Sequence, residues 1–375
     1  MAIATAEPGA ASPGDAQPRA DGSGLLGASL SQAGRSLVAT IRTRYTVALG
    51  GLDPKPRPAD PAPDFICFEL SRHGRDGARR LCLGGARPHR SIGLELTDAR
   101  GRVKHRDMVA ARVRRPDPGK LVLALIPDDA GLRPHRYDWR VVESRRGSFE
   151  ALPGRAWRVF RLRPVRVVGC TGGRAVLNAN GPRDRPALAL TFDDGPSDYT
   201  RGFLDVLREK HAHATFFEIG QEIPGRAAMI RRILREGSEI GNHTMHHAFF
   251  PGYSEIAPTS ALIESSTHFS PCLFRPPGGG VDAAVIDAAA GLGMRTVTWD
   301  VDPGDWANPG SGAVYGRVVG AARPGSIVVM HDGGGDRSGT LAALPHIVDT
   351  LRARGFRFAT VTELLGERLL YRPYG

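Results

Sequence analysis

Between Ala187 and Thr360, short apolar runs alternate with helical stretches. The candidate strands are Ala187–Phe192, Ala214–Phe217, Glu239–Gly241, Leu273–Arg275, Arg295–Trp299, Ser326–Met330 and Arg357–Thr360. Candidate helices lie between them at Arg201–Lys210, Arg226–Glu236, Ala283–Ala290 and Leu341–Arg354. Parallel strands need crossovers of this length, so the alternation predicts an α/β fold with a parallel sheet covered by helices. About seven repeats favour a closed (β/α) barrel over an open sheet.

Before Pro164 the period is two. Leu37, Ala39, Ile41, Tyr45, Val47 and Leu49 fall on one face of a strand, with Thr40, Arg42 and Arg44 opposite. A Pro-rich connector runs from Asp53 to Pro63. Short strand-like runs follow at Phe65–Leu70, Arg80–Leu83, Ile92–Thr97, Met108–Val113, Leu121–Leu125, Tyr137–Val142 and Trp157–Leu162, separated by turns such as Asp117-Pro118-Gly119. Many short strands with polar turns predict an all-β, sandwich-like domain. His73, His89, His105 and His135 are scattered through it singly and read as surface residues. The expected organisation is a disordered segment over 1–33, a β-rich accessory domain over 34–163 and the α/β domain over 164–375. The opening segment is rich in Ala, Gly, Pro and Ser and shows no secretory signal pattern.

The chain carries 50 Lys and Arg against 39 Asp and Glu, a net charge of +11. No Lys/Arg run is interleaved with aromatics, so nucleic-acid binding is not expected. An Arg-, Ala-, Gly- and Pro-rich composition is the preferred account of the charge, and contact between the basic β-rich domain and an anionic cell wall is the alternative. No stretch approaches the roughly 18 apolar residues of a membrane span. Cys67, Cys82, Cys170 and Cys272 form no C-x-x-C pair. Two disulfides, Cys67–Cys82 and Cys170–Cys272, are the preferred pairing. Four buried thiols are the alternative. Disulfides would imply an oxidising, extracellular or envelope location.

The reactive side chains gather at one end of the α/β repeats. Asp193 and Asp194 follow the first strand, His243 the third, and Asp302 and Asp305 the fifth; Arg275 ends the fourth and His331 the sixth. These are C-terminal strand ends, the face where barrels build active sites. Asp194 with His243 and His247, spaced i, i+4, makes a facial three-ligand set. That set suits Zn(2+), with Co(2+), Ni(2+) or Mn(2+) as alternatives. A divalent ion there acidifies water. His246 is at the wrong spacing to join them. Asp193 is then free to act as a base, oriented by Arg275. His331 can protonate a leaving group, with Asp305 favouring its charged form. The Gly278 N–H can stabilise an oxyanion, and Trp299 and Trp306 can floor a sugar subsite or pack in the core. Together these parts describe hydrolysis of an acyl group. A two-His-one-carboxylate iron oxygenase would leave Asp193, Arg275 and the Asp305–His331 pair without roles.

From Arg185 to Leu365 the chain resembles the polysaccharide deacetylase family, the carbohydrate esterases of family 4 with a NodB homology domain. The resemblance rests on Thr191–Pro196, His243–His247, Arg275–Gly278, Asp302–Trp306 and Ile327–Asp332, in the family's order. It implies a distorted, truncated (β/α) barrel. It also implies Asp193 as base, Asp194, His243 and His247 as metal ligands, His331 as acid tuned by Asp305, and Arg275 as the tether of the base. The implied substrates are N-acetylglucosamine polymers such as peptidoglycan and chitin, or acetylated xylan. A non-catalytic wall-binding role is a further alternative. Two departures stand out. Gly278-Gly279-Gly280 follow the prolines where the family often has an aromatic, which implies a lost subsite contact. The Ala248–Pro271 segment looks short, with a poorly formed helix at Glu255–Ser266, which implies an open cleft wall.

Overall fold

The apolar run that opens at Ala187 becomes a strand, Ala187–Gly195, buried along nearly its whole length. Its side chains divide by parity. Leu188, Leu190 and Phe192 pack outward on helical residues such as Phe203, Leu207, Leu344 and Ile347. Ala187 and Ala189 point the other way, into a second cluster with Phe217, Leu273, Val297 and Ile327. Both faces are covered, so the strand reads as a continuous apolar run. Slipping it by one residue would exchange the two sets, forcing Leu and Phe into the space of Ala, an overpacking that costs roughly 1–3 kcal/mol, and leaving Ala in the space of Leu and Phe. Register at the strand's end is therefore held from below.

A computed structural model describes residues 24–45, 65–73, 78–83, 91–97, 103–145, 148–154, 156–171 and 175–374. They divide into two compact units, one comprising the described residues up to Val165 with Tyr374 and one spanning Arg166–Pro373. In the second unit the strand order is Leu177–Asn178, Arg295–Val297, Leu273–Phe274, Glu239–Asn242, Thr215–Glu218, Ala187–Gly195 and Ile327–His331. Arg357–Phe358 adds to the start of the Ala187 strand. All these pairings are parallel. Among the described residues the two ends of the path are joined by isolated bridges, Asn180 to Ser326 and Val301 to Val328, and not by a continuous ladder. The barrel is therefore distorted, with a loosely joined seam. Helices Thr200–Glu209, Ala227–Arg235, Tyr253–Thr267, Ala283–Gly291, Ser311–Ala321 and Ser338–Ala353 form the outer layer.

Two helices depart from expectation. Ser311–Ala321 is additional. Tyr253–Thr267 is a full helix of 15 residues, with Pro258 on its exposed side. Its buried stripe is Ile256, Thr259, Ile263 and Thr267. Half of that stripe is Thr, which hides the helical period from a hydrophobicity count.

The first unit is all β. Its strands form one antiparallel path rather than two separate sheets. Val103–Asp117 joins the halves: its first part pairs with Ser91–Thr97 and its second with Lys120–Leu125. Residues from both halves, including Leu37, Ile41, Leu121, Leu123, Phe68, Leu81 and Trp139, share one core. That shared core gives the unit its sandwich-like character. The expected disorder over 1–33 is corrected at its end: Leu25–Ala33 is a strand, hairpinned to Ser36–Thr43 through Gly34 at φ +56°. Only Leu25 of that strand is fully buried, so its Gly, Ala and Ser residues give no alternation to read. The earlier part of that segment, the Asp53–Pro63 connector, Val47, Leu49 and His89 lie outside the described residues.

Cys67 and Cys82 are register partners on adjacent strands and are bonded at S–S 2.06 Å. Cys170 is bonded to Cys272, and none of the four cysteines is free. No helix among the described residues is long and apolar enough to cross a membrane.

Candidate active site

Strand parity places three of the expected residues on the inner side. Asp193 continues the inward series of Ala187, Ala189 and Thr191 and is 2% exposed. His331 continues Ile327 and Val329, and Arg275 continues Leu273. Parity alone would turn Asp194 away from Asp193. The chain solves this with a bulge. The register between the Ala187 and Thr215 strands shifts between Asp193 and Gly195, and Asp194 sits at φ +70°. A bulge re-aims the side chain it carries, at the cost of a left-handed backbone in a non-glycine residue. Gly195 must then be a glycine: a Cβ there would lie 2.8 Å from both Asp332 carboxylate oxygens and 2.9 Å from Glu218 Oε2.

His243 follows the strand Glu239–Asn242 and is 2% exposed. Its Nδ1 is 2.7 Å from the Arg275 carbonyl oxygen, so Nδ1 donates and the Nε2 lone pair is left for a ligand. That Nε2 lies 3.5 Å from Asp194 Oδ1, and His247 Nε2 lies 3.3 Å from the same oxygen. Asp194 Oδ1 is buried and meets no well-aligned hydrogen-bond donor. Burial opposes ionisation of Asp194, but the His243 and His247 rings beside it outweigh burial and hold the carboxyl well below the usual range. An anionic oxygen between two imidazole nitrogens is a donor set that fits a divalent cation, and these three residues can hold one. Glu255 fixes the intervening loop by accepting the Met245 and His246 N–H groups. His246 turns out to Glu255 and takes no part.

Arg275 is fully buried. Its Nη1 donates to Asp193 Oδ1 and to Thr191 Oγ1, each at 2.7 Å, and its Nη2 donates to the Thr298 carbonyl at 3.2 Å. The guanidinium lies 4.0 Å from the Phe217 ring centroid. This is the positive group that two adjacent aspartates require.

On the neighbouring strand, His331 is the register partner of Asp193. Its Nδ1 is 2.8 Å from Asp305 Oδ1, and its backbone N–H donates to Asp305 Oδ2 at 2.9 Å. Thr340 Oγ1 donates to that same Oδ2 at 2.8 Å. Burial disfavours the charged imidazole, but the Asp305 bond and the Asp193, Asp305 and Asp194 charges outweigh it, so the His331 pKa is raised. Arg337, itself 3% exposed, clamps the surrounding loops by donating to the Gly333, Gly334 and Trp306 carbonyls.

Two further carboxyls were not expected. Glu218 and Asp332 are both fully buried behind Gly195. Burial, then the Asp332 and Asp193 charges, push the Glu218 pKa up. Burial likewise raises Asp332 to about 7. Glu218 directly follows the expected strand Ala214–Phe217 and carries no other signal in the sequence. Of the remaining expected residues, Gly278 is exposed at φ +61°. Trp306 is 60% exposed. Trp299 is half-buried, packs on the inner cluster and lies 5.6 Å from the Arg275 guanidinium. Asp302 accepts the Gly304 N–H and shapes the turn before Asp305.

Residues 180–297 match the family model of polysaccharide deacetylases. A peptidoglycan-N-acetylglucosamine deacetylase of Bacillus cereus is 44% identical over 192 residues, covering 49% of this chain and 90% of that protein. A chitooligosaccharide deacetylase of Bradyrhizobium is 37% identical over 197 residues, covering 48% of this chain and 90% of that protein. Among solved structures, a family 4 carbohydrate esterase from Streptomyces lividans in complex with acetate is 32% identical, covers 49% of this chain and 97% of its own, and superposes with a TM-score of 0.46. The Bacillus cereus and Bradyrhizobium deacetylases are each matched over nine-tenths of their own length, and by that likeness this chain belongs to the polysaccharide deacetylase family.

Proposed function

We propose that the chain hydrolyses the acetamido group of N-acetylglucosamine units in a bacterial glycan of the peptidoglycan or chitin type. The observation that carries this is the pairing of Asp193 and His331 across two neighbouring parallel strands, with the Asp194–His243–His247 group beside them. A base and an acid thus stand next to one divalent-cation site. The cation, zinc by ligand chemistry, supplies Lewis-acid polarisation and a more acidic water when bound. Asp193 takes the water proton, held in position by Arg275. The Gly278 N–H is the donor assigned to the developing oxyanion. His331 gives a proton to the departing amine, and Asp305 keeps it charged for that task. An amine leaves poorly without that proton, whereas an alcohol does not depend on it as strongly. The investment in His331 therefore favours an amide substrate over the ester of acetylated xylan. The Bacillus cereus and Bradyrhizobium relatives are deacetylases of peptidoglycan N-acetylglucosamine and of chitooligosaccharide, which supports the same choice.

The β-rich unit, which includes the strand Leu25–Ala33 and runs to Val165, serves as an accessory unit, and its arginines suit contact with an anionic wall. Two disulfides favour work in the extracellular space or envelope. Acetate release from peptidoglycan, N-acetylglucosamine oligomers and acetylated xylan tests the substrate. Release from the first two supports the amide reading, and release from xylan alone replaces it with an esterase.

A further inference from the structure

Large aromatic side chains seldom face water without a reason when they cluster. Phe249, Phe250 and Tyr253 are 65%, 61% and 61% exposed, and all three follow the ligand His247 within six residues. In the Arg166–Pro373 unit the other large aromatic with comparable exposure among the described residues is Trp306, at 60%, beside Asp305. Exposed rings thus occupy both the metal-ligand loop and the loop of Asp305, the partner of the acid His331. Phe249 meets the His247 ring edge-on, with centroids 5.9 Å apart. It also fills the space above Gly278: a Cβ on Gly278 would lie 2.5 Å from Phe249 Cε1. A Cβ on Gly280 would lie 3.5 Å from the Phe250 ring. The Gly278-Gly279-Gly280 run therefore leaves room that these rings take. Phe250 itself sits at φ +49°, a left-handed backbone that sets its direction.

We propose that Phe249 and Phe250 form a stacking platform for the apolar face of a sugar ring next to the one that reacts. Their place beside His247 and Gly278 puts them where a glycan chain leaves the metal centre. Aromatic faces bind pyranose C–H groups while the ring hydroxyls stay hydrated, so exposed phenylalanines suit this ligand. The inference rests on the glycan-deacetylase reading above.

The test titrates the full chain, chelated to stop turnover, with the N-acetylglucosamine pentamer by calorimetry, and measures acetate release from the pentamer by the zinc-loaded protein. Phe249→Ala should raise Kd and KM roughly tenfold, the scale of one lost aromatic contact, with a smaller change in kcat. Phe249→Tyr should restore both, and Phe250→Ala should act in the same direction. Phe149→Ala, an equally exposed ring in the other unit, should change neither. Wild-type release with unaltered Kd and KM in both alanine variants overturns the platform alone. No release from the pentamer by the wild type defeats the glycan reading and the platform with it. A dimeric wild type made monomeric by Phe249→Ala, with Kd unaltered, assigns the rings to a second copy and overturns the proposal.

Discussion

Replacing Asp305 with asparagine isolates what a buried carboxylate does for His331. Asp305 is fully buried, so solvent does not screen its charge. Its Oδ2 already accepts two donors, the His331 N–H and the Thr340 hydroxyl. An asparagine must keep its oxygen there, which turns its NH2 toward His331 Nδ1. That NH2 can only donate. Nδ1 must then give up its proton, and the neutral ring with its proton on Nε2 is favoured. Losing a hydrogen bond to a charged group removes roughly 1.5–3 kcal/mol, or about one to two pKa units at 1.36 kcal/mol each. The alkaline limb of kcat/KM should therefore move down by about one to two units. Stability should follow with a definite sign. The raised folded pKa of His331 contributes stability that is complete below the unfolded value of 6.5 and is lost as pH rises through the folded value. Asp305→Asn should thus destabilise most in mildly acidic buffer, and the gap should narrow on going alkaline. The assays are a pH–rate profile on N-acetylglucosamine oligomers and an NMR titration of the His331 ring. An alkaline limb that stays in place, or a gap that widens with pH, refutes the reasoning.

Three other substitutions give separate readings. His247→Ala should lose bound zinc and activity together, weakening metal affinity by at least the roughly 10–100-fold that an outer-shell loss causes; elemental analysis that still finds one zinc per chain contradicts the ligand set. Arg275→Met leaves the buried Asp193 charge unpaired and should cost roughly 3–5 kcal/mol in denaturant unfolding of the catalytic unit. A loss below 1 kcal/mol would show that Asp193 has another partner. Cys170→Ser opens a link across 102 residues and should cost roughly 2–5 kcal/mol in thermal melts without reductant. In reductant it should match the wild type, and an equal deficit in both buffers argues against the bond's contribution.

Much of the site was legible because strand parity and strand ends carry it. Asp193, Arg275 and His331 extend the inward apolar series of their own strands, and a reader can count them inward. Asp194 defies that count. Only the bulge at φ +70° brings it to the cleft, and no local sequence signal other than the Gly-Pro turn marks one there. Glu218 and Asp332 look like ordinary strand-end acids, and their complete burial comes from packing behind Gly195, which spacing does not encode. The glycines after Arg275-Pro276-Pro277 read as a lost aromatic contact. In the folded chain, rings from the His247 loop stand over them, a substitution between distant segments that a linear reading misses. The helix at Tyr253–Thr267 is weakly marked in the sequence because Thr259 and Thr267 serve as core residues.

The central claim is a cation held by Asp194, His243 and His247 beside a base, Asp193, that does not bind it. One acetate-release assay on the N-acetylglucosamine pentamer tests it, run on native, chelated and zinc-restored protein and on zinc-loaded Asp193→Asn. The expected result is release that chelation abolishes and zinc restores, with Asp193→Asn holding one zinc per chain and releasing almost nothing. Release that survives complete chelation, or a zinc-loaded Asp193→Asn as active as the wild type, would contradict the account.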